Sequence, residues 1–334
     1  MTLVHWTVGP WNDQCLSRNL LPGAAVLAWR DNTEWRCVVI SIRTVVCPVD
    51  FSPATARQLE LAVDVCRAFG SRLVVHHNIS DLSVGAGVGW MWHADHSVSR
   101  QPVDQRMNDL LARVPRGVTV EGCITRGAAT EAVLTVSDAA DADLVILSTH
   151  GRADEDHASI TEFMVERSNH AVLALHDIGA GETLPRFSPG ADGEQVMQPL
   201  LVPTDLSAKS RASVAFAFDL ARALPVKLHL LHIMPGRPGR EDRDHAAVVM
   251  KERLGALLPA DLPGRTEAHV EEGDPASGIA TVAKRLSAAC IVMGEHTRTP
   301  IRRWFTRDTS RAVLRQAPCP VWYVPAVAAT ARTA

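Results

Sequence analysis

Lysine is scarce in this chain, and a basic excess is missing altogether. Only four of its 34 basic residues are Lys (Lys209, Lys227, Lys251 and Lys284), and Lys+Arg 34 against Asp+Glu 37 leaves a formal charge of −3. A dedicated nucleic-acid binder carries a clustered positive surplus to meet the phosphate backbone, so that class is excluded, while a small anionic ligand stays open. No Gly-Lys dipeptide occurs, which removes a Walker-type phosphate loop. The seven Cys are odd in number and form no CxxC pair, so they fit neither a disulfide framework nor a zinc ribbon. A reducing compartment and a cytoplasmic location are therefore expected. Long apolar runs are also missing: Leu20–Trp29 is broken by Pro22 and Gly23 and falls short of the roughly 18 residues that cross a bilayer, so no membrane span is expected. The first 17 residues hold no Lys or Arg to form a positive n-region, so a signal peptide is not expected.

What is present suffices for globular cores. The 334 residues are 46% hydrophobic and 21% charged, a length of about two domains at roughly 150 residues each. The chain also repeats itself. Val45–Ser52 (VVCPVDFS) matches Leu200–Ser207 (LLVPTDLS) at an offset of 155, each an apolar run ending in Pro-x-Asp-x-Ser. Such a run reads as a buried strand that turns through Pro and Asp into a helix, with Ser52 or Ser207 capping the first turn. Helical spacing follows over 54–69 and 208–224, then second strands at Leu73–His77 and Leu228–His232. Later segments pair at an offset of 146: Arg126-Gly127 with Glu272-Gly273, and Asp143–Ser148 with Ala289–Gly294. The difference is absorbed between strands two and three, where loops take insertions cheaply. Each copy closes on an apolar run, Ala171–Leu175 and Pro320–Val324. This alternation predicts an α/β fold of two tandem open-sheet domains, each a mostly parallel five-stranded sheet with helices on both faces.

The expected boundaries are a Trp-rich extension over 1–40, a first domain over 41–177, a linker over 178–198, a second domain over 199–326 and a tail over 327–334. The extension holds Trp6, Trp11, Trp29 and Trp35 and is expected to be poorly ordered, with docking or capping as the functional alternative. The stretch Asp177–Gln198 is rich in Gly and Pro and lacks periodicity, as linkers do.

Ligands of open α/β sheets bind beyond the carboxyl ends of the strands, where strand order reverses. The candidate residues are therefore Pro48, Val49, Asp50, Ser148, His150 and Gly151 in copy one, and Pro203, Thr204, Asp205, Gly294, His296 and Thr297 in copy two. Asp50 and Asp205 are either ligand contacts or strand-end caps. His150 and His296 recur at equivalent positions, where a structural hydrogen bond is a more common role than catalysis. His93, Asp95 and His96 lack a third ligand at metal spacing, and no metal site is identified from spacing alone. Gly85–Gly89 lacks the third glycine of a dinucleotide fingerprint and reads as a loop. Cys47, inside strand one, is expected to be buried and inert.

These elements resemble the universal stress proteins, specifically their tandem two-domain form, over roughly 43–176 and 198–325. The most specific parts are Pro-x-Asp-x-Ser and the segment Ala158–Glu162 running on to Ser168–Leu173. The resemblance implies a flavodoxin- or Rossmann-like sheet, similar to the wider adenine nucleotide alpha hydrolase-like group, and an adenine-nucleotide (ATP) site. ATP-binding members carry Gly-x-x-Gly, nine residues, then Gly-Ser or Gly-Thr, which lets backbone amides and a hydroxyl reach phosphate. The match implies that Asp50 and Asp205 lie near adenine and ribose. In copy one, Ser148 replaces the first glycine, Gly151 keeps the second, and Ala158-Ser159 follows after only six residues, leading into Ile160 and Thr161. Asp154, Glu155 and Asp156 fall where phosphates would lie and would repel them. In copy two, Gly294 is kept, Thr297 replaces glycine, and Arg307-Asp308 stands for Gly-Ser after nine residues that include Arg298, Arg302 and Arg303. At the base-facing position of strand two, copy two has Ile233 and copy one has Asn78. Both sites look eroded, copy two less so toward anions.

The implied function is a non-enzymatic stress-response sensor or scaffold with weak or lost ATP binding. The alternative is an ATP-binding protein with slow hydrolysis, against which stands the lack of a positioned base, Lys or metal-binding carboxylate cluster. The resemblance also implies that the two copies pair through Ala171–Leu175 and Pro320–Val324 within one chain. A homodimer or a protein partner remains open beyond that pairing.

Overall fold

A computed structural model describes residues 25–31, 34–79, 102–149, 156–175, 184–188, 198–207, 210–234, 241–294 and 307–325, with 25–39, 156–159, 241–244 and 307–308 described by backbone alone. Copy one runs β3 (Thr44–Pro48), α1 (Ala54–Phe69), β4 (Arg72–Ile79), α2 (Val103–Leu111), β5 (Val120–Arg126), α3 (Ala129–Ala139), β6 (Leu144–Ser148), α4 (Asp156–Arg167) and β7 (Ala171–Leu175). Copy two runs β8 (Leu200–Pro203), α5 (Ser210–Ala223), β9 (Leu228–Met234), α6 (Glu241–Gly255), β10 (Thr266–Glu272), α7 (Pro275–Leu286), β11 (Cys290–Gly294), α8 (Arg307–Gln316) and β12 (Val321–Val324). The strand between β9 and β11 in sequence, like β5 in copy one, lies at an outer edge of the sheet. The central strands are nearly all apolar because a parallel sheet is covered on both faces; β7 and β8 are buried at every position. Helix ends follow local chemistry. Gly70 closes α1 in the left-handed conformation, φ 65°, and Asp274 caps α7 by accepting the Ser277 N–H, with Pro275 in the first turn.

Among the described residues, ten strands form one sheet in the order β10-β9-β8-β11-β12-β7-β6-β3-β4-β5. Every pairing inside a copy is parallel. The exception joins the copies: β12 runs antiparallel to β7, with Val321 opposite Ala174, Trp322 opposite Leu173 and Tyr323 opposite Val172. Leu173 and Trp322 hold equivalent positions, pairing with Ile146 and Val292 respectively. Equivalent residues facing each other in an antiparallel ladder mark a local twofold axis, so the predicted pairing of the two halves is met by an isologous contact within one chain. It also hides two strand edges that would otherwise be open. Each of the two hydrophobic cores extends through both copies, one on each face of the sheet.

Two expectations change. Within the expected disordered extension, β1 (Ala25–Asp31) and β2 (Glu34–Ile40) form an antiparallel hairpin, which contacts α5 of the second copy. Its two runs of apolar and β-branched residues are separated by only Asn32 and Thr33, which suits a tight hairpin connection. Trp6 and Trp11 lie outside the described residues. Between the copies, Leu184 and Phe187 are buried rather than solvated. The Asp64 carboxylate on α1 accepts from the Phe187 N–H and from both the N–H and the hydroxyl of Ser188. The Phe187 ring meets Trp322 of β12 edge-on, with centroids 6.0 Å apart. This part of the connector is therefore a wedge fastened to one copy and packed on the other.

Candidate functional site

Strand order reverses between β3 and β6 in copy one and between β8 and β11 in copy two. The Pro-x-Asp turns lie at the carboxyl ends of β3 and β8. In copy one, Asp50 Oδ1 accepts the Ser52 N–H at 2.8 Å and the Thr55 hydroxyl at 3.1 Å. In copy two, Asp205 Oδ1 accepts the Ser207 N–H at 2.9 Å. The residue between, Phe51 (φ 56°) or Leu206 (φ 61°), is left-handed in both copies. A side chain in that conformation costs roughly 1–2 kcal/mol, so the same unfavourable turn has been kept twice. Both aspartates thus have a turn-forming role.

A histidine from strand two supports each turn. His77 Nδ1 donates to the Val49 carbonyl at 2.8 Å, and His232 Nδ1 donates to the Thr204 carbonyl at 2.8 Å. A carbonyl only accepts, so Nδ1 carries the proton in both rings. No linear motif points to these two residues; the available signal is their recurrence at the 155-residue offset. The expected serine cap holds in one copy and fails in the other. Ser207 Oγ accepts the Ser210 N–H at 3.3 Å, whereas α1 has Pro53 at its N-cap and no side-chain cap bond. The Thr55 N–H, counterpart of the Ser210 N–H, donates to the Ser52 carbonyl at 3.0 Å instead, and Ser52 Oγ is buried without a hydrogen bond.

The crevices behind the turns differ. In copy one, Gln58 is buried and its Nε2 donates to the carbonyls of Pro48 at 2.6 Å and Ile146 at 2.8 Å, tying β3 to β6 across the reversal point. The equivalent residue in copy two is Ser213, whose hydroxyl donates to Ser210 O within its own helix. Asn78 in copy one belongs to a polar chain: His76 Nε2 donates to Thr125 Oγ1 at 2.7 Å, Thr125 donates to Asn78 Oδ1 at 3.0 Å, and Asn78 Nδ2 donates to Gly127 O at 2.8 Å. Ile233 in copy two is buried and lies under Gly278 of α7. Beside the Asp50 turn, the Arg106 guanidinium sits 4.4 Å from the Phe51 ring centroid, and the His77 ring is 4.3 Å from that of Phe51. Beside the Asp205 turn lies a cavity of about 390 Å³ between α5 and α6, bordered by Thr204, Leu206, Phe218, Arg211 and Arg253.

The phosphate-side candidates are seen only in part. Ser148 and Gly294 end β6 and β11. The buried Thr161 donates to Ser148 O at 3.4 Å, and the partly buried Ile160 packs against the hydrophobic core. Helix α4 starts at Asp156, two residues before Ala158-Ser159, so a carboxylate residue stands at the positive end of its dipole. Helix α8 starts at Arg307-Asp308, with a cation first. The positions expected for His150, Gly151, His296, Thr297, Asp154, Glu155, Arg298, Arg302 and Arg303 lie outside the described residues, as do Gly85–Gly89, His93, Asp95 and His96. Cys47 is fully buried, which pushes its thiol well above the ordinary range and leaves no nucleophile there.

The profile of the Universal stress protein family matches residues 41–176 and 197–325, most of the chain. The chain belongs to the universal stress protein family. This universal stress protein is 24% identical over 144 residues to Universal stress protein MJ0531 of Methanocaldococcus jannaschii, covering 40% of this chain and 85% of that one. A solved universal stress protein from Archaeoglobus fulgidus DSM 4304 covers 85% of this chain and 97% of its own, at 17% identity and a TM-score of 0.56, a likeness in fold. Another from Archaeoglobus fulgidus, solved in complex with dAMP, is 23% identical over 39% of this chain and 98% of its own, with a TM-score of 0.30. Among the described residues of this universal stress protein, no helix is long and apolar enough to cross a membrane.

Proposed function

We propose that this universal stress protein is a non-enzymatic stress-response sensor or scaffold whose two adenine-nucleotide sites have diverged, with weak binding kept in copy two. The carrying observation is that the Asp turns are alike while the crevices differ: Gln58 bridges β3 to β6 in copy one, and its counterpart Ser213 in copy two does not reach across. Three carboxylate residues precede or begin α4, whereas four arginines lie at or before the start of α8. A cation at the amino end of a helix is unfavourable by itself, and a bound anion would reverse the sign of that interaction. His77 and His232 spend Nδ1 on backbone carbonyls, a structural use that supports a non-enzymatic reading.

Titration calorimetry with ATP on the full chain tests this. One weak site is expected, with a Kd above about 10 µM, lost in Asp205→Ala and unchanged in Asp50→Ala. Sub-micromolar binding at both copies, or loss in Asp50→Ala alone, would overturn it. Phosphate release above buffer that disappears in Asp205→Ala would transfer the protein to the hydrolytic alternative.

A further inference from the structure

Away from the strand ends that face the nucleotide crevices, β9 and β10 bring three metal-ligating side chains onto one face. His229 is the second residue of β9 and sits opposite Glu267, the second residue of β10; His269 follows two residues along β10. Strand period two puts Glu267 and His269 on the same face. His229 Nδ1 and His269 Nε2 are 2.7 Å apart, and one carboxylate oxygen of Glu267 lies 3.6 Å from each. These atoms all lie within 4.8 Å of one another.

We propose that His229, Glu267 and His269 form a binding site for one divalent transition-metal cation of the zinc class. Two imidazoles and one carboxylate are a set that such ions take, with a further position left for water. Zinc–ligand bonds of about 2.0–2.1 Å in a tetrahedron put ligand atoms roughly 3.3 Å apart. The ring nitrogens would open by about 0.6 Å and the carboxylate close by about 0.3 Å to meet that geometry. Rotamer adjustment alone covers such shifts. A 2.7 Å contact between ring nitrogens means that one ring donates to the other. Metal binding replaces this hydrogen bond: the donor ring shifts its proton to its other nitrogen, both rings stay neutral, and no net proton is released. Burial already favours the neutral form of both rings. Glu267 supplies the negative charge against Lys227, Lys251 and Arg285 nearby. His229 is buried, while Glu267 is exposed and His269 partly so, which gives an ion an entry path and room for a water ligand.

The placement has a structural consequence. Strand β10 is one outer edge of the ten-stranded sheet, and the ion would fasten that edge to β9. Copy one does not share the set: the residues at the same register are Val74, Glu121 and Cys123. The site is thus separate from the nucleotide reading in place and in ligand.

Zinc titration of the chelator-treated full chain, by calorimetry and thermal unfolding, tests the proposal against His269→Gln and His229→Val. The valine matches Val74 and keeps the core filled; the partly exposed His269 provides an independent variant should the buried one fail to fold. Wild type should take one equivalent of Zn²⁺ more than either variant. It should also melt several degrees higher with Zn²⁺, a rise lost in the variants and not produced by Mg²⁺, which prefers all-oxygen ligands. Co²⁺ in place of zinc should give strong visible absorption in wild type alone. Equal stoichiometry and equal melting shifts in wild type and variants would overturn the proposal, whatever other histidines bind.

Discussion

His76 is fully buried in β4, and its ionisation supplies a measurable link between pH and folding. Thr125 uses its hydroxyl proton on Asn78 Oδ1, so it accepts from His76 Nε2–H; Nδ1 is then the bare nitrogen, buried without a hydrogen-bond partner. Protonation would create a cation and an N–H facing no acceptor. Burial, followed by repulsion from His77, accordingly lowers the His76 pKa from 6.5 to about 4. The unfolded chain keeps the ordinary value and binds the proton first, so stability is full above about pH 6.5 and falls as pH drops toward 4. At roughly 1.4 kcal/mol per unit, the loss from this residue is about 1 kcal/mol at pH 5.5 and about 2–3 at pH 4.5, levelling off at about 3–4 well below pH 4. Other groups titrate over the same range, so the test is a difference. His76→Leu installs the residue type that copy two has at Leu231, also buried in its strand. It costs about 1 kcal/mol at neutral pH for the lost bond to Thr125, yet it should flatten the acid side. Urea midpoints of both proteins by circular dichroism at pH 7.5, 5.5 and 4.5 read this out. Curves that stay parallel at all three pH values would refute the reasoning.

Other perturbations probe how the halves are held. Phe187→Ala empties a fully buried position against Trp322 and should destabilise by about 3–5 kcal/mol; a midpoint in urea within error of wild type would mean that the wedge carries no load. Arg311 of α8 bridges Glu162 at 3.3 Å and Glu166 at 2.9 Å on α4. Because Arg311 is partly exposed, Arg311→Ala should cost only about 1 kcal/mol, a loss that shrinks when thermal unfolding is repeated in high salt. Gly122→Ala would put a Cβ 2.9 Å from Leu111 and 3.0 Å from Met107. A destabilisation of about 1–3 kcal/mol is expected, and hydrogen exchange should show it first in α2 and β5.

The architecture was legible because burial on both faces of a parallel sheet demands nearly continuous apolar strands, and those strands recur. Val45–Cys47 and Leu200–Val202 could be aligned by eye, and the helix predicted over 54–69 has those bounds in the structure. The pairing of β7 with β12 came from the family resemblance and is borne out in register. The wedge was hidden by composition: Leu184 and Phe187 are two apolar residues in a stretch of Gly and Pro, and no period marks them. The Ser52 cap failed because the donor it needed, the Thr55 N–H, goes to the carbonyl of Ser52 and not to its hydroxyl, a choice between two acceptors of one residue that no sequence pattern marks.

The candidate sites were legible in their shared part and obscure where the copies differ. An Asp at a strand end followed by Ser two residues on is a local pattern, and local hydrogen bonds follow from it in both copies. The bridge from Gln58 to Ile146 joins residues 88 apart, and His229 meets His269 across 40. Such contacts depend on which strands become neighbours and on which face each residue takes. Once the strand order 3-2-1-4-5 of each copy is known, period two alone places His229, Glu267 and His269 on one face and Val74, Glu121 and Cys123 on the corresponding one. The same backbone therefore carries an apolar residue where its twin carries a buried imidazole. A buried histidine without a ligand costs more than the valine it replaces. At this position only copy two accepts that cost, and it does so with two further metal-ligating side chains within 4.8 Å; that combination is the physical reason to look for a cation at the β9–β10 edge.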